Sequence, residues 1–254
     1  MSSRWVSNEL VKLSSESLQA IIDNKIPAAM IDDFATTKET EQLSSAILSM
    51  KAKPYEFGRP GFYLGNTLAH YRDQPKEQYF AQVSVAEQDR IQIINQAFDP
   101  VDRFMRYINH DTNFSISVAE EPGFGPYFTG IVRIISGGSD LHVDYAPTFA
   151  KGNLVVGDIS TQLAWNLYIL SPSQGGETVI YNQPFKNTTI DKTYKPYDSA
   201  LLVNCESFTF RPQVSSVVIF NTTNPHIVLP ASGNRIATGS FIGVLNEKKL
   251  ILWS

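Results

Sequence analysis

From Pro122 onward the chain is a succession of short β-type runs parted by glycine, proline, serine and asparagine, and this punctuation constrains its fold more than any other feature. The pattern predicts strands at about 127–136, 141–145, 162–170, 178–181, 201–204, 217–221, 227–229, 236–244 and 250–253. Many short strands divided by turn signals predict two sheets wrapped face to face: a double-stranded β-helix, or jelly roll, of the cupin type.

The N-terminal half carries a different period. Leu10, Leu13, Leu18, Ile21 and Ile22 approximate one helical face, and Thr36 and Thr37 followed by Glu39 and Glu41 predict a capped second helix running toward Met50. From Gln78 to about His110 the pattern continues through Val83, Val85, Ile91, Ile94, Phe98, Val101, Phe104, Met105 and Ile108, and Pro100 divides it into two helices. No repeat or linker separates the halves. The expected class is α+β: one domain over residues 1–254, with about 1–121 a mainly helical support carrying pocket loops and about 122–254 the jelly-roll core. The turn-rich, aromatic stretch from Lys53 to Tyr63 predicts a loop over a pocket. Arg59 and Arg72 are candidates for holding a substrate carboxylate, with a solvated arginine as the plainer reading of each.

At 254 residues, 43% of them hydrophobic, the chain has material for one sizeable core. A formal net charge of −4 and the lack of any dense lysine and arginine block point away from nucleic acid and anionic membrane, toward a small-molecule or protein substrate. The opening Met-Ser-Ser-Arg-Trp has no apolar signal core and no run approaches membrane-spanning length, so a soluble cytoplasmic protein is expected. Cys205 is the single cysteine, which leaves no intramolecular disulfide or multi-thiolate metal site and reads as a core position. Glycosylation patterns at Asn113, Asn187 and Asn221 are attributed to chance.

The chemistry is concentrated in a few residues. His142 and Asp144 close one predicted strand, where residues two apart point the same way, and His226 arrives from another. Two imidazoles and a carboxylate suit iron held on one face, leaving about three octahedral positions for a bidentate oxoacid and dioxygen. A lone histidine in a β-rich domain is more often structural. Here the pair stands in an ordered series with Gly175-Gly176-Glu177-Thr178, Asn224-Pro225-His226, Pro230, Gly233 and Arg235. Arg235 should open the next strand and point back to the pocket, where its guanidinium would pair bidentately with the far carboxylate of 2-oxoglutarate; a structural salt bridge is the alternative. Asn166 and Tyr168 share one face of a strand and, with Arg133, are candidates for hydrogen bonding the oxoacid, core packing being the other option. Tyr145, Phe149, Trp165 and Trp253 are candidates for the substrate cavity wall.

In these residues the chain resembles the Fe(II)/2-oxoglutarate-dependent oxygenase superfamily, whose pattern is His-x-Asp, a distal His and a following Arg. Val132-Arg133-Ile-Ile-Ser-Gly-Gly138, Gly175-Gly-Glu-Thr-Val-Ile-Tyr181, Val218-Ile-Phe-Asn221 and Leu252-Trp253-Ser254 are most similar to the cyanobacterial indole-alkaloid halogenases. The resemblance implies Fe(II), 2-oxoglutarate and dioxygen, with His142, Asp144 and His226 as catalytic iron ligands and Arg235 as the oxoacid anchor. Those halogenases carry glycine where this sequence has Asp144, and the missing carboxylate is what admits chloride. Asp144 therefore implies hydroxylation, or a related desaturation or ring closure, of an aliphatic C–H in an amino acid, amino-acid derivative or alkaloid. Succinate and carbon dioxide would be released. The Gly-Gly-Glu-Thr element and the distal His, Pro, Gly, Arg order also resemble prolyl hydroxylases, so protein hydroxylation is an alternative. A non-catalytic cupin-like metal binder is another, against which Arg235 argues.

Overall fold

Local signals start the helices. Ser14 and Thr36 each cap a helix by accepting from the backbone three residues on, and Ser17 and Glu39 return a bond to the cap. These begin α1 (Ser15–Ile22) and α2 (Thr37–Ser49). Lys76–Ile94 forms α3, and Asp99, followed by Pro100 in the first turn, caps α4 (Pro100–Asp111). A single turn, α5 (Pro147–Ala150), follows the predicted metal residues. The computed structural model describes residues 4–55, 61–185 and 196–254.

The strands are β1 (Leu10–Lys12), β2 (Ala28–Ile31), β3 (Lys53–Pro54), β4 (Phe62–Leu64), β5 (Ser115–Val118), β6 (Glu120–Glu121), β7 (Gly125–Pro126) and β8 (Ile131–Ile135). The series continues with β9 (Thr161–Leu170), β10 (Thr178–Tyr181), β11 (Ser207–Phe210), β12 (Val217–Asn221), β13 (His226–Val228), β14 (Arg235–Val244) and β15 (Lys249–Trp253). The larger sheet runs β1-β2-β12-β9-β14-β8-β4-β3, with β15 beside the second half of β14 and β5 beside β15. The smaller is β11-β10-β13. Neighbours far apart in sequence, such as β8 with β14 and β9 with β12, are the crossed connections of a jelly roll.

The long strand β9 shows why the sheet buries both faces. Leu163, Trp165, Leu167 and Ile169 join a core with Leu18 and Ile21 of α1, Leu43 and Ile47 of α2, and Phe104 and Ile108 of α4. Ala164 and Tyr168 point the other way, toward Ile180, Phe208 and Phe210 of the smaller sheet. The helices are thus packed on the outside of the larger sheet, and the inner face is left for chemistry.

Four expectations change. Leu10 lies in a strand that pairs in parallel with β2, and Leu13 precedes the Ser14 cap, so the first helix starts later than the leucine spacing suggested. The N-terminal half also contributes β2 and β4 to the larger sheet, where partners decide what short apolar runs become. The run at 141–145 forms one isolated bridge, His142 with His226, and no ladder. The run at 201–204 is not a strand: Asp198 accepts from the Ala200 amide and starts a 3-10 turn over Ser199–Leu202, while Leu201 and Val203 stay exposed. Phe208 and Phe210 of β11 fill that place in the core.

Candidate metal centre

Each donor is delivered by a different local device. His226 opens β13, opposite Ile180 of β10. His142 exchanges backbone hydrogen bonds with it, N to O at 3.1 and 2.9 Å, and two residues on the Asp144 amide donates to the Thr222 carbonyl at 3.0 Å. Thr222 returns its hydroxyl to the Asp144 carbonyl at 3.0 Å, and the Ala146 amide donates to Gln162 Oε1 at 2.7 Å. The His-x-Asp segment is therefore pinned extended by side chains of β9 and of the loop after β12, which replace the missing ladder.

Nε2 of His142 and of His226 lie 3.5 and 3.6 Å from Asp144 Oδ2, and one ligand atom from each of the three residues lies within 4.8 Å of the others. Nδ1 of His142 is 2.7 Å from the Asp140 carbonyl, and Nδ1 of His226 is 2.9 Å from that of Asn224. A carbonyl only accepts, so both rings carry their proton on Nδ1 and turn an Nε2 lone pair toward Asp144, the tautomer that a metal requires. Burial works to raise the Asp144 carboxyl, but in the metal-free site the attraction of the two imidazoles when they are protonated, with the Nε2–H bonds they then donate, prevails and holds it well below the usual carboxylate range. Burial and the neighbouring His142 push His226 down, toward the neutral ring. A deprotonated carboxylate and neutral imidazoles fit a divalent cation.

Arg235 is the first residue of β14 and is buried, 6% exposed. Its Nη2 donates to the Tyr168 hydroxyl at 3.3 Å and the Thr178 hydroxyl at 3.2 Å, its Nε has no partner, and it makes no ion pair among the described residues. A charge in that position is costly unless an anion joins it. Gly175 supports this corner: at φ +76° it passes so close to the Pro230–Ala231 backbone that a Cβ would stand 2.1 Å from the Pro230 carbonyl oxygen.

The remaining candidates divide. Asn166 sits between Ala164 and Tyr168 on the inner face, opposite Val218 and Gly239, and is half-buried. Arg133 lies opposite Ala237 on the same face, with its guanidinium 5.9 Å from the Phe241 ring and no hydrogen bond or ion pair among the described residues. Tyr145 and Phe149 are half-buried against an aromatic cluster that includes Tyr63 and Trp253, and Arg72 lies over the Phe149 ring at 5.4 Å. Trp165 is not in this pocket. It stacks on Phe104 of α4, ring centroids 4.4 Å apart, on the helix-covered face. Arg59 and Asn187 lie outside the described residues. Thr178 and the Asn224 carbonyl were not singled out from the sequence; Thr178 was within reach, as the last residue of Gly-Gly-Glu-Thr. Cys205 is half-buried, its thiol pushed up by burial and by Glu206.

Comparison with known proteins assigns the chain to a family. The family model of the carrier-protein-independent halogenase WelO5 matches residues 5–254. Leucinostatins biosynthesis cluster protein S of Purpureocillium lilacinum is 31% identical over 70% of this chain and 80% of its own length. An L-gamma-glutamyl-L-propargylglycine hydroxylase of Streptantibioticus cattleyicolor is 27% identical over 52% of this chain, which spans 50% of that protein. An N-substituted L-amino acid dioxygenase from Burkholderia ambifaria superposes with a TM-score of 0.63 over 94% of this chain and 91% of its own at 13% identity, a likeness of fold. No helix among the described residues is long and apolar enough to cross a membrane. The chain belongs to the WelO5 family, and it is an Fe(II)/2-oxoglutarate-dependent oxygenase.

Proposed function

We propose that the reaction is hydroxylation of an aliphatic C–H in a free amino acid or amino-acid derivative, with His142, Asp144 and His226 holding the iron and Arg235 holding the far carboxylate of 2-oxoglutarate. The observation that carries this is the buried Arg235 guanidinium, with an unpartnered Nε and no carboxylate among the described residues to meet it, in the same barrel as the three-donor cluster. A non-catalytic metal site has no use for that cation. The hydroxylase of Streptantibioticus cattleyicolor supports the substrate class. Asp144 supports hydroxylation over halogenation, because a carboxylate takes the place that a halide would need.

The chain's own residues position and exclude. The two Nδ1–H bonds fix both imidazoles before anything binds, so no ring has to reorient at the moment of coordination. Tyr168 and Thr178 accept from Arg235 and aim its free edge into the barrel, where a carboxylate finds a bidentate partner. Arg133 and Asn166, on the same inner face, would hydrogen-bond the oxoacid's other end. Tyr145 and Phe149, half-buried, would give the substrate an apolar wall, backed by the fully buried Trp253. Bound iron supplies the oxidative step, which consumes 2-oxoglutarate and dioxygen and releases succinate and carbon dioxide. The single cysteine suits a reducing cytosol, where we place the protein.

The test is anaerobic visible spectroscopy of the Fe(II)-loaded protein. Addition of 2-oxoglutarate is expected to bring up the weak metal-to-ligand charge-transfer band of a chelated oxoacid, and His226→Ala to abolish it. A folded, iron-loaded protein that gives no band would overturn the assignment.

A further inference from the structure

His226 is held through the residue two before it. Its Nδ1 donates to the Asn224 carbonyl, so the direction in which Nε2 points depends on the orientation of one peptide in the turn between β12 and β13. Asn224 is completely buried, and its side-chain amide donates to Asn24 Oδ1 at 2.6 Å. Asn24 lies some two hundred residues earlier, just past the C-terminus of α1, at φ +55°. Its amide bonds inward to the helix end, to the Ile21 carbonyl at 3.0 Å. From the same helix end the Ile21 carbonyl also accepts from Asn221 Nδ2 at 3.3 Å, and Asn221 Oδ1 in turn caps Thr223 through its amide and its hydroxyl. The side-chain tethers of Asn221 and Asn224 therefore end at the C-terminus of α1, while the Thr222 hydroxyl ties the turn to Asp144.

The chain of amides runs on from Asn24: its Nδ2 donates to Asn182 Oδ1 at 2.9 Å, Asn182 Nδ2 donates to Glu206 Oε2 at 2.8 Å, and the Trp5 amide donates to that same oxygen at 2.9 Å. A part-buried file of amides that ends on a carboxylate favours one donor and acceptor order, since reversing one member opposes like atoms at its neighbours. Glu206, which only accepts, sets the order, and it leaves an acceptor, Asn24 Oδ1, facing Asn224.

We propose that Asn24 is a positioning residue for the metal centre: it fixes the Asn224 turn and through it the imidazole of His226. This rests on His226 being a metal ligand. Asn24 touches neither metal nor substrate, and the N-terminal helix that carries it acts as part of the outer layer of the site as well as a packing element. Outer-layer partners of metal-bound histidines typically change metal affinity by about 10–100-fold when removed.

The test compares three variants. Asn24→Gly keeps the positive φ without strain and removes the side chain; Asn24→Asp keeps the acceptor toward Asn224 and breaks the order at Asn182; Gln19→Ala removes an exposed bond of α1 to Asp23 and leaves the turn alone. Fe(II) dissociation constants are measured anaerobically by titration, Tm is measured on the metal-free protein, and the His226 tautomer is read from ring-nitrogen NMR. Asn24→Gly is expected to weaken Fe(II) binding about tenfold or more and to lose the pure Nδ1–H tautomer. Asn24→Asp is expected to lower Tm and to keep Fe(II) affinity within about threefold of the parent, well short of that range. Parental affinity in Asn24→Gly, or a loss no larger than that of Gln19→Ala at equal Tm, overturns the proposal. Parental Fe(II) affinity in His226→Ala would instead remove the ligand assignment beneath it, a distinct result.

Discussion

His142 and His226 face each other across a single antiparallel bridge, with ring centroids 4.3 Å apart and both Nε2 atoms turned to the same carboxylate oxygen. Two neutral rings and an anion this close repay a cation. Fe(II) at about a hundred times its dissociation constant should stabilise the fold by about 2.7 kcal/mol. For a chain of this size that is roughly a 5–10 °C rise in Tm. His226→Ala should erase the rise, and an unchanged metal-dependent shift in an anaerobic melt would refute the cluster as the metal site.

Asp144→Gly leaves both imidazoles in place. Hydroxylation should be lost, Fe(II) binding should weaken, and chloride should gain access to the vacated position. A chloride-dependent change in the visible spectrum of the Co(II)-loaded variant reads this directly. A variant that still hydroxylates at the parental rate would show that Asp144 is not a ligand.

Arg235→Met separates binding from stability. The loss of a buried partner for the oxoacid should raise the 2-oxoglutarate requirement by about 2–5 kcal/mol. The ligand-free protein should melt no lower than the parent, because the variant also removes a buried guanidinium that has no counter-ion among the described residues. Calorimetric titration and a melt of the same sample check both halves. Unchanged 2-oxoglutarate affinity would place the anchor elsewhere.

Acid should loosen the helical layer at a defined point. Glu39 takes both ends of the Arg103 fork, at 2.6 and 3.0 Å, and the Thr36 amide at 2.8 Å, tying α2 to α4. Hydrogen bonds from Arg103, working against burial, hold its carboxyl at about 2 against an ordinary 4.5. A carboxyl lowered on folding contributes stability above its unfolded pKa and loses it as pH falls toward the folded one, here between about 4.5 and about 2. Partial exposure reduces the contribution to about 1 kcal/mol. Glu39→Gln should lower Tm by a few degrees at neutral pH, and the gap should close near the acid end of that window. A gap independent of pH would assign the effect to packing.

The sequence by itself determined the elements whose signals are local. The Thr36 cap starts its helix and Pro100 divides the next two as their signals imply, β10 and β12 keep the ends that their patterning implies, and Arg235 opens its strand after Pro230 and Gly233 as the turn chemistry requires. The sequence also singled out His142, Asp144 and His226, which the structure brings within 4.8 Å of one another, and Arg235, which it buries beside Tyr168 and Thr178. Tertiary structure decided whatever depends on a partner distant in sequence. Leu10 became a strand because β2 offered an edge, and the 141–145 run forms no ladder because its backbone bonds go to separate places, Leu141 to Tyr197, His142 to His226 and Asp144 to Thr222. Trp165 went to the helix-covered face because the pleat of β9 sends alternate residues to opposite sides and the sequence does not say which side holds the metal. The amide file from Trp5 through Asn24 to Asn224 has no sequence signal at all, since hydrogen bonds between residues about two hundred positions apart exist only once the chain is folded.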